Sequence, residues 1–400
     1  MDSNTLTLRE RENARFLQTY RRLPIEIDYA EGMEIVANDG TRYIDFLGGI
    51  AVNAAGHSHP AIIEAVTRQM HRYAHVSNLF YQDAQIEFVE RLTRLSGYSR
   101  AFLTNSGTEA NEGALKLARS WGAAKGRKEI VGFTGGFHGR TYGVLSIMEK
   151  PLYKEGMGPF LGETSVLPFN DVEALLAHLS DQTCAVFVEA LQGEGGVRWM
   201  SEEFAAALIE AKGRHGFLIV ADEVQAGCGR TGPFFSFERF GLTPEIVTTA
   251  KVLGGGLPLG AIVTIEELAE VWSYGRHGTT FGGNAVSCAA GAAFLDLYEE
   301  ELQENVGLMG TYLLHSLERL AALYPTIICD IRGGGLMIGL EFDRPTADIV
   351  ARLLSHGIIA NATNENVLRL LPPYIIKEIH VDMLVEALGS ILATIEVAAG

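Results

Sequence analysis

Asp222 and Lys251 each close an apolar, strand-like run, Phe217-Leu-Ile-Val-Ala-Asp222 and Ile246-Val-Thr-Thr-Ala-Lys251, and the second leads directly into Val-Leu-Gly-Gly-Gly256. Short β-branched runs that end in a charged residue before a glycine turn predict buried parallel strands presenting side chains at their carboxyl ends. An acid and an amine then share one crevice. The amine can attack a carbonyl carbon, and the carboxylate can keep a heteroaromatic nitrogen protonated. Together they suit pyridoxal phosphate, whose protonated ring absorbs carbanion electrons. Taken alone, Asp222 also reads as a helix cap and Lys251 as a solvated loop amine.

Two further stretches carry polar groups at turns. Asn105-Ser-Gly-Thr-Glu-Ala-Asn111 precedes a helical run, Glu112-Gly-Ala-Leu-Lys-Leu-Ala-Arg119. Backbone amides and hydroxyls at such a helix start suit a phosphate, although Ser and Thr also serve there as ordinary N-caps. Thr134-Gly-Gly-Phe-His-Gly-Arg140 follows the strand-like Glu129–Phe133. It places an aromatic able to stack on a flat ring just before an arginine able to grip a carboxylate with two parallel hydrogen bonds. Core packing for Phe137 and a surface ion pair for Arg140 are the plainer readings.

These residues need a scaffold, and the chain has length enough for one. Its 400 residues exceed what one core usually organises, and 47% hydrophobic with 20% charged residues describes an ordinary globule. A net charge of −17 disfavours nonspecific binding to nucleic acid or anionic membrane. Cys184, Cys228, Cys288 and Cys329 show neither C-x-x-C spacing nor histidine pairing, so no metal site is expected and reduced thiols in a cytoplasmic protein are. The charged amino terminus lacks the apolar core of a secretion signal, and Ala285 to Tyr298 is too short and too interrupted for a membrane span.

Residues 5 to 22 read as helical, and the alternation around Ala37-Asn-Asp-Gly40 predicts a hairpin. From about His59 helices alternate with strands: helices near 60 to 73 and 82 to 97 and after Asn105, strands at 129 to 133, 185 to 189 and 217, and others near 246 and 261. After about 285, amphipathic stretches at 286 to 324 and 345 to 356 flank strands at 326 to 331 and 336 to 342, and a last helix runs from 377 to 398. The expected fold class is α/β. A large, doubly wound, mostly parallel sheet domain spans 59–284, and a smaller α+β domain is formed by both termini, 1–58 and 285–400.

Beyond these local readings, the chain resembles the class III, ω-amino-acid branch of the fold type I pyridoxal-phosphate aminotransferases, and within it the acetylornithine group. The anchors are N-S-G-T-E-A-N at 105, G-F-H-G-R-T at 136, Q-G-E-G-G at 192, A-D-E-V-Q at 221, G-R-T-G at 229, A-K-V-L-G-G-G at 250 and H-G-T-T-F-G-G-N at 277. R-G-G-G-L-M-I-G at 332 and N-V-L-R-L-L-P-P at 366 follow. Ala190 and Ala285 stand where the family often has proline, and Ala226 and Cys228 also depart from its usual residues.

The resemblance implies that Lys251 forms the Schiff base with pyridoxal 5'-phosphate and later moves a proton between substrate and cofactor. Asp222 pairs with the pyridine nitrogen, and Gln225 contacts the phenolic oxygen. Phe137 and Val224 cover the two ring faces, and Ser106, Gly107 and Thr108 hold the phosphate. Thr280 reaches that phosphate from the second subunit of a homodimer. It also implies that Arg369 binds the α-carboxylate of 2-oxoglutarate, that Glu194 covers Arg369 while an ω-amine donor is bound, and that Arg140 takes the far carboxylate of either substrate. The implied reaction converts N2-acetyl-L-ornithine and 2-oxoglutarate into N-acetyl-L-glutamate 5-semialdehyde and L-glutamate, in arginine biosynthesis. Ornithine, 4-aminobutyrate, succinyl-diaminopimelate and acetyl-lysine-type donors are the alternatives, as is a nonenzymatic pyridoxal-phosphate-binding protein. His138 and His277 read as structural hydrogen-bonding groups, and Cys228 as an inert buried thiol.

Overall fold

The computed structural model describes residues 7–399, with side chains to 396. Its centre is a seven-stranded sheet in the order Arg100–Thr104, Gly260–Thr264, Ile246–Thr249, Leu218–Asp222, Thr183–Val188, Glu129–Phe133 and Thr164–Leu167. Gly260–Thr264 runs antiparallel to both of its neighbours, while the remaining pairs are parallel. The central strands read as unbroken apolar runs because both faces are covered. On one face Phe187, Val220, Ile246 and Ile262 pack with Ala110, Ala114 and Leu117 of helix Gly107–Ala123. On the other, Val186, Val188, Ile219 and Val247 join a core with Phe204 and Leu208 of helix Glu202–His215. Alternate residues of one strand thus serve two different cores.

Local chemistry fixes the helix ends. Pro60 opens helix Pro60–Arg72 after His59, whose ring accepts from the Ala61 N–H. Ser201 caps Glu202–His215, which stops at Gly216 in the left-handed region. Asn284 caps helix Ala285–Leu297, which packs on helices Pro60–Arg72 and Asp83–Ser96. Past a π-helical turn at Tyr298–Leu302 the chain enters helix Gln303–Leu323 and a second sheet. That four-stranded sheet is ordered Ile328–Gly334, Met337–Phe342, Val367–Leu370 and Asn361–Thr363. A third sheet contains the expected hairpin, Glu34–Ala37 and Arg42–Asp45, and its edge is completed by Ile358–Ile359, which pairs parallel with Ile44 and Asp45. No helix among the described residues is long and apolar enough to cross a membrane.

Several expectations need correction. The helix expected over 5 to 22 is confined to Leu8–Asn13, closed by a Thr7–Glu10 capping box, and residues 5 and 6 lie outside the described residues. Beyond it Leu17 and Tyr20 stand exposed, so the apolar face has no surface within the chain to bury against. Short strands at Thr164–Leu167, Ile358–Ile359 and Asn361–Thr363 and the helix Val172–His178 were not anticipated.

Candidate active site

The carboxyl ends of the parallel strands open into a cleft of about 450 Å³. Its lining includes Ser106, Gly107, Thr108, Phe137, Arg140, Glu194, Asp222, Val224, Gln225 and Lys251. Asp222 is the last residue of its strand, and Lys251 lies just beyond the neighbouring one, with φ +50. A lysine in the left-handed region costs roughly 1–2 kcal/mol and persists only where its surroundings impose it. In the turn that follows, Gly255 and Gly256 are also at positive φ. Burial, then the positive charge of Arg369, lowers the Lys251 pKa to about 8.

Asp222 sits in a network that the sequence did not reveal. Its Oδ2 accepts from Asn111 Nδ2 and His138 Nδ1, each at 2.7 Å, and its Oδ1 accepts the Val224 N–H at 3.0 Å. Thr248 Oγ1 donates to Asn111 Oδ1 at 2.7 Å, so Asn111 is itself fixed. Burial opposes a charge on His138, but the hydrogen bond and charge of Asp222 outweigh it and raise its pKa. Three donors thus converge on the Asp222 carboxylate and fix its position at the strand end. The adjacent Glu223 serves the fold instead, accepting from Ser236 N and Oγ and from Phe237 N.

Glu189, just beyond strand Thr183–Val188, also lines the cleft and accepts the Phe137 N–H at 2.9 Å. Burial pushes its pKa up, and Asp222 nearby adds to the rise. Like Asp222, it closes an apolar run, Ala185-Val-Phe-Val-Glu189, and that pattern is its signal in the sequence.

Ser106 caps helix Gly107–Ala123 by accepting the Glu109 N–H at 3.3 Å. The first N–H groups of a helix have no acceptor within it and suit an anion. A Cβ on Gly107 would come within 2.5 Å of Val224 Cγ1, so only glycine lets the helix start approach that side chain. Thr108 Oγ1 accepts the Arg140 N–H at 3.3 Å and bonds Thr141 Oγ1 at 3.0 Å, tying the helix start to the arginine loop. The Arg140 guanidinium lies 3.6 Å from the Tyr153 ring centroid and is itself exposed.

Arg369, on strand Val367–Leu370, is buried behind the cleft wall. Its Nη1 donates to Glu194 Oε1 at 2.6 Å and to Gln225 Oε1 at 3.1 Å. Burial works against ionisation of Glu194, but the charge and hydrogen bond of Arg369 hold its carboxyl below the usual range. A Cβ on Gly193 would lie 1.8 Å from Gln225 Oε1, so the turn carrying Glu194 passes tightly over Gln225. Thr280 is exposed and is not among the residues lining this cleft.

The side chains present fit pyridoxal phosphate: an amine of lowered pKa, a carboxylate fixed by donors, an aromatic and a branched side chain lining the same cleft, and a helix start for an anion. Known proteins give the same direction. The curated acetylornithine aminotransferase of Methanocaldococcus jannaschii is 43% identical over 384 residues, covering 95% of this chain and 96% of its own. That of Mycobacterium tuberculosis is 42% identical over 395 residues, covering 98% and 97%. Among solved structures, the ornithine aminotransferase of Toxoplasma gondii superposes with a TM-score of 0.93 at 28% identity, covering 99% of this chain and 97% of that one. A transaminase from the marine bacterium Virgibacillus gives a TM-score of 0.91 at 25% identity, covering 98% and 99%. The sequence profile described as Aminotransferase class-III matches residues 16–392, and with full-length relatives above 40% identity this chain belongs to the class III aminotransferases.

Proposed function

We propose that this aminotransferase uses pyridoxal phosphate to move the amino group of N2-acetyl-L-ornithine to 2-oxoglutarate, giving N-acetyl-L-glutamate 5-semialdehyde and L-glutamate, as a step of arginine biosynthesis. The observation that carries the reading is the Glu194–Arg369 pair, with Glu194 lining the cleft and Arg369 buried behind it. An ω-amine donor has no carboxylate beside its reacting carbon, whereas 2-oxoglutarate does. A buried arginine that a movable carboxylate can cover lets one pocket take both. The acetylornithine donor is favoured over ornithine because the relatives of 38–43% identity carry the acetylornithine name, while the ornithine aminotransferase of Toxoplasma gondii is 28% identical.

Bound pyridoxal phosphate supplies an aldehyde and an electron-withdrawing ring that acidify the hydrogen on the substrate's amine-bearing carbon. In this reading Asp222 would hold the ring nitrogen in its protonated form, and Lys251 would supply the amine that holds the cofactor and the base that moves a proton at the substrate's reacting carbon. Phe137 and Val224, which both line the cleft, would cover the two faces of the ring. Gln225 would meet the phenolic oxygen, and Ser106, Gly107 and Thr108 would hold the phosphate. Arg140 anchors the distant carboxylate of either substrate, and Arg369, uncovered when Glu194 swings aside, takes the α-carboxylate of the oxoacid. Thr280 of a second copy completes the phosphate site, which makes the homodimer the working unit.

The deciding experiment is a donor screen against 2-oxoglutarate, comparing kcat/KM for N-acetylornithine, ornithine, 4-aminobutyrate, succinyl-diaminopimelate and acetyl-lysine. N-acetylornithine is expected to lead, and any other leading donor overturns the assignment. Lys251→Ala is expected to abolish turnover while the fold persists.

A further inference from the structure

We propose that Arg332 sets the balance between the two half-reactions by clamping the turn that carries Glu194, an inference that rests on reading Glu194 as the cover of Arg369. Arg332 lies on strand Ile328–Gly334 of the second sheet and is not among the residues lining the cleft. Its Nε and Nη2 both donate to the Gly196 carbonyl, at 2.9 and 2.7 Å. Its Nη1 is engaged by Asp330 and Glu341, so its charge is already balanced and its reach is spent on main chain. From the opposite edge of the same sheet, Thr363 Oγ1 donates to the Glu194 carbonyl at 3.0 Å. The turn is thus held by the second sheet at two carbonyls, one belonging to Glu194 and the other two residues further on.

The turn needs holding. Gly196 has φ +96 and Val197 φ +53, a conformation that a β-branched residue adopts only when its surroundings impose it. With both carbonyls pinned, Glu194 can leave Arg369 by rotating its side chain while its main chain stays in place. Returning is equally simple, because the carboxylate starts from a fixed root. Without the clamp Val197 can relax out of the left-handed region, and the Glu194 root moves away from Arg369. The cover then weakens although both its members are intact. Arg332 is on this view a positioning residue, acting through Glu194 on which substrates the cleft accepts.

The test is a double-mutant cycle on the two half-reactions, with single-turnover kcat/KM measured separately for N-acetylornithine and for glutamate. Arg332→Ala is expected to raise the glutamate-to-acetylornithine ratio about tenfold, the scale of losing a charge-assisted hydrogen bond. Arg332→Lys is expected to fall between it and the wild type. Thr363→Val, which keeps the side-chain shape, is expected to shift the ratio the same way by a smaller factor, and it decides the matter if Arg332→Ala does not fold. In a Glu194→Ala background, neither change is expected to move the ratio further. Equal losses in both half-reactions, or an undiminished shift without Glu194, overturn the proposal while leaving the Glu194 reading intact. A ratio unchanged by Glu194→Ala itself overturns the Glu194 reading, and this inference with it.

Discussion

At the scale of single residues, the roles proposed for Arg369 and Arg140 predict different patterns across the two half-reactions. Arg369→Ala is expected to slow the 2-oxoglutarate half-reaction by about a hundredfold, the scale of a lost bidentate charged contact, while sparing the acetylornithine half-reaction. Arg140→Ala is expected to weaken both. Stopped-flow spectra with donor and acceptor added separately distinguish the patterns, and equal losses in Arg369→Ala show the pair is misassigned. Lys251 gives a second test, on pH. With its pKa lowered to about 8, the neutral, nucleophilic amine becomes the major form only above that pH. Capture of added pyridoxal phosphate by the apoprotein is therefore expected to accelerate as pH rises through about 8 and to level off above it. A flat rate between pH 7 and 9 contradicts it. The same displacement has a stability consequence, because between about 8 and the ordinary lysine value of 10.5 the unfolded chain holds a proton that the folded apoprotein does not. Through this group, stability rises with pH across that window.

At the scale of elements, the fit between the helix start and Val224 is a place where one methyl group matters. Gly107→Ala puts a Cβ 2.5 Å from Val224 Cγ1, so either the helix start or Val224 must shift. Retention of pyridoxal phosphate is expected to fall at least about tenfold, read by equilibrium dialysis, with Tm of the apoprotein changed by only a few degrees. Much of this level was legible in the sequence. Strands Leu218–Asp222 and Ile246–Thr249 are buried along their whole length, so they wrote themselves as continuous apolar runs with a charged residue at or just past the end. The direction of Gly260–Thr264 was not legible, since a strand buried on both faces has the same composition whether it runs parallel or antiparallel. The Asn111–Asp222–His138 network was hidden for another reason: its members come from a helix, a strand and a loop that only tertiary structure brings together. Asn361–Thr363, which brings Thr363 to the Glu194 turn, is too short to leave a period.

At the scale of the whole molecule, Thr280 sits amid surface that a lone chain leaves bare. Phe281 is exposed beside it, and Leu79, Phe80 and Tyr81 stand out next to Asn78, whose amide donates to the Thr279 and Gly282 carbonyls. Such an exposed apolar patch supports the proposed homodimer, whose second subunit would cover it. Mixing Lys251→Ala protomers with Thr280→Ala protomers is expected to yield heterodimers with one intact site, so activity after exchange should exceed that of either parent. No recovery, or a fully active monomer in sedimentation, contradicts the shared site.

The parallel pairing of Ile44 with Ile358 has a consequence for how this polypeptide comes into being. On a translating ribosome the first hairpin emerges early, yet the strand that seals its edge is made only some three hundred residues later. For most of synthesis that edge is open and able to pair with a neighbouring nascent chain. Closure across so long a span is slow, and it comes after the seven-stranded sheet has been made in full. Nascent chains that end before Ile358 are therefore expected to self-associate more than chains that extend past Ile359, which pelleting of ribosome-bound chains stalled at either length checks.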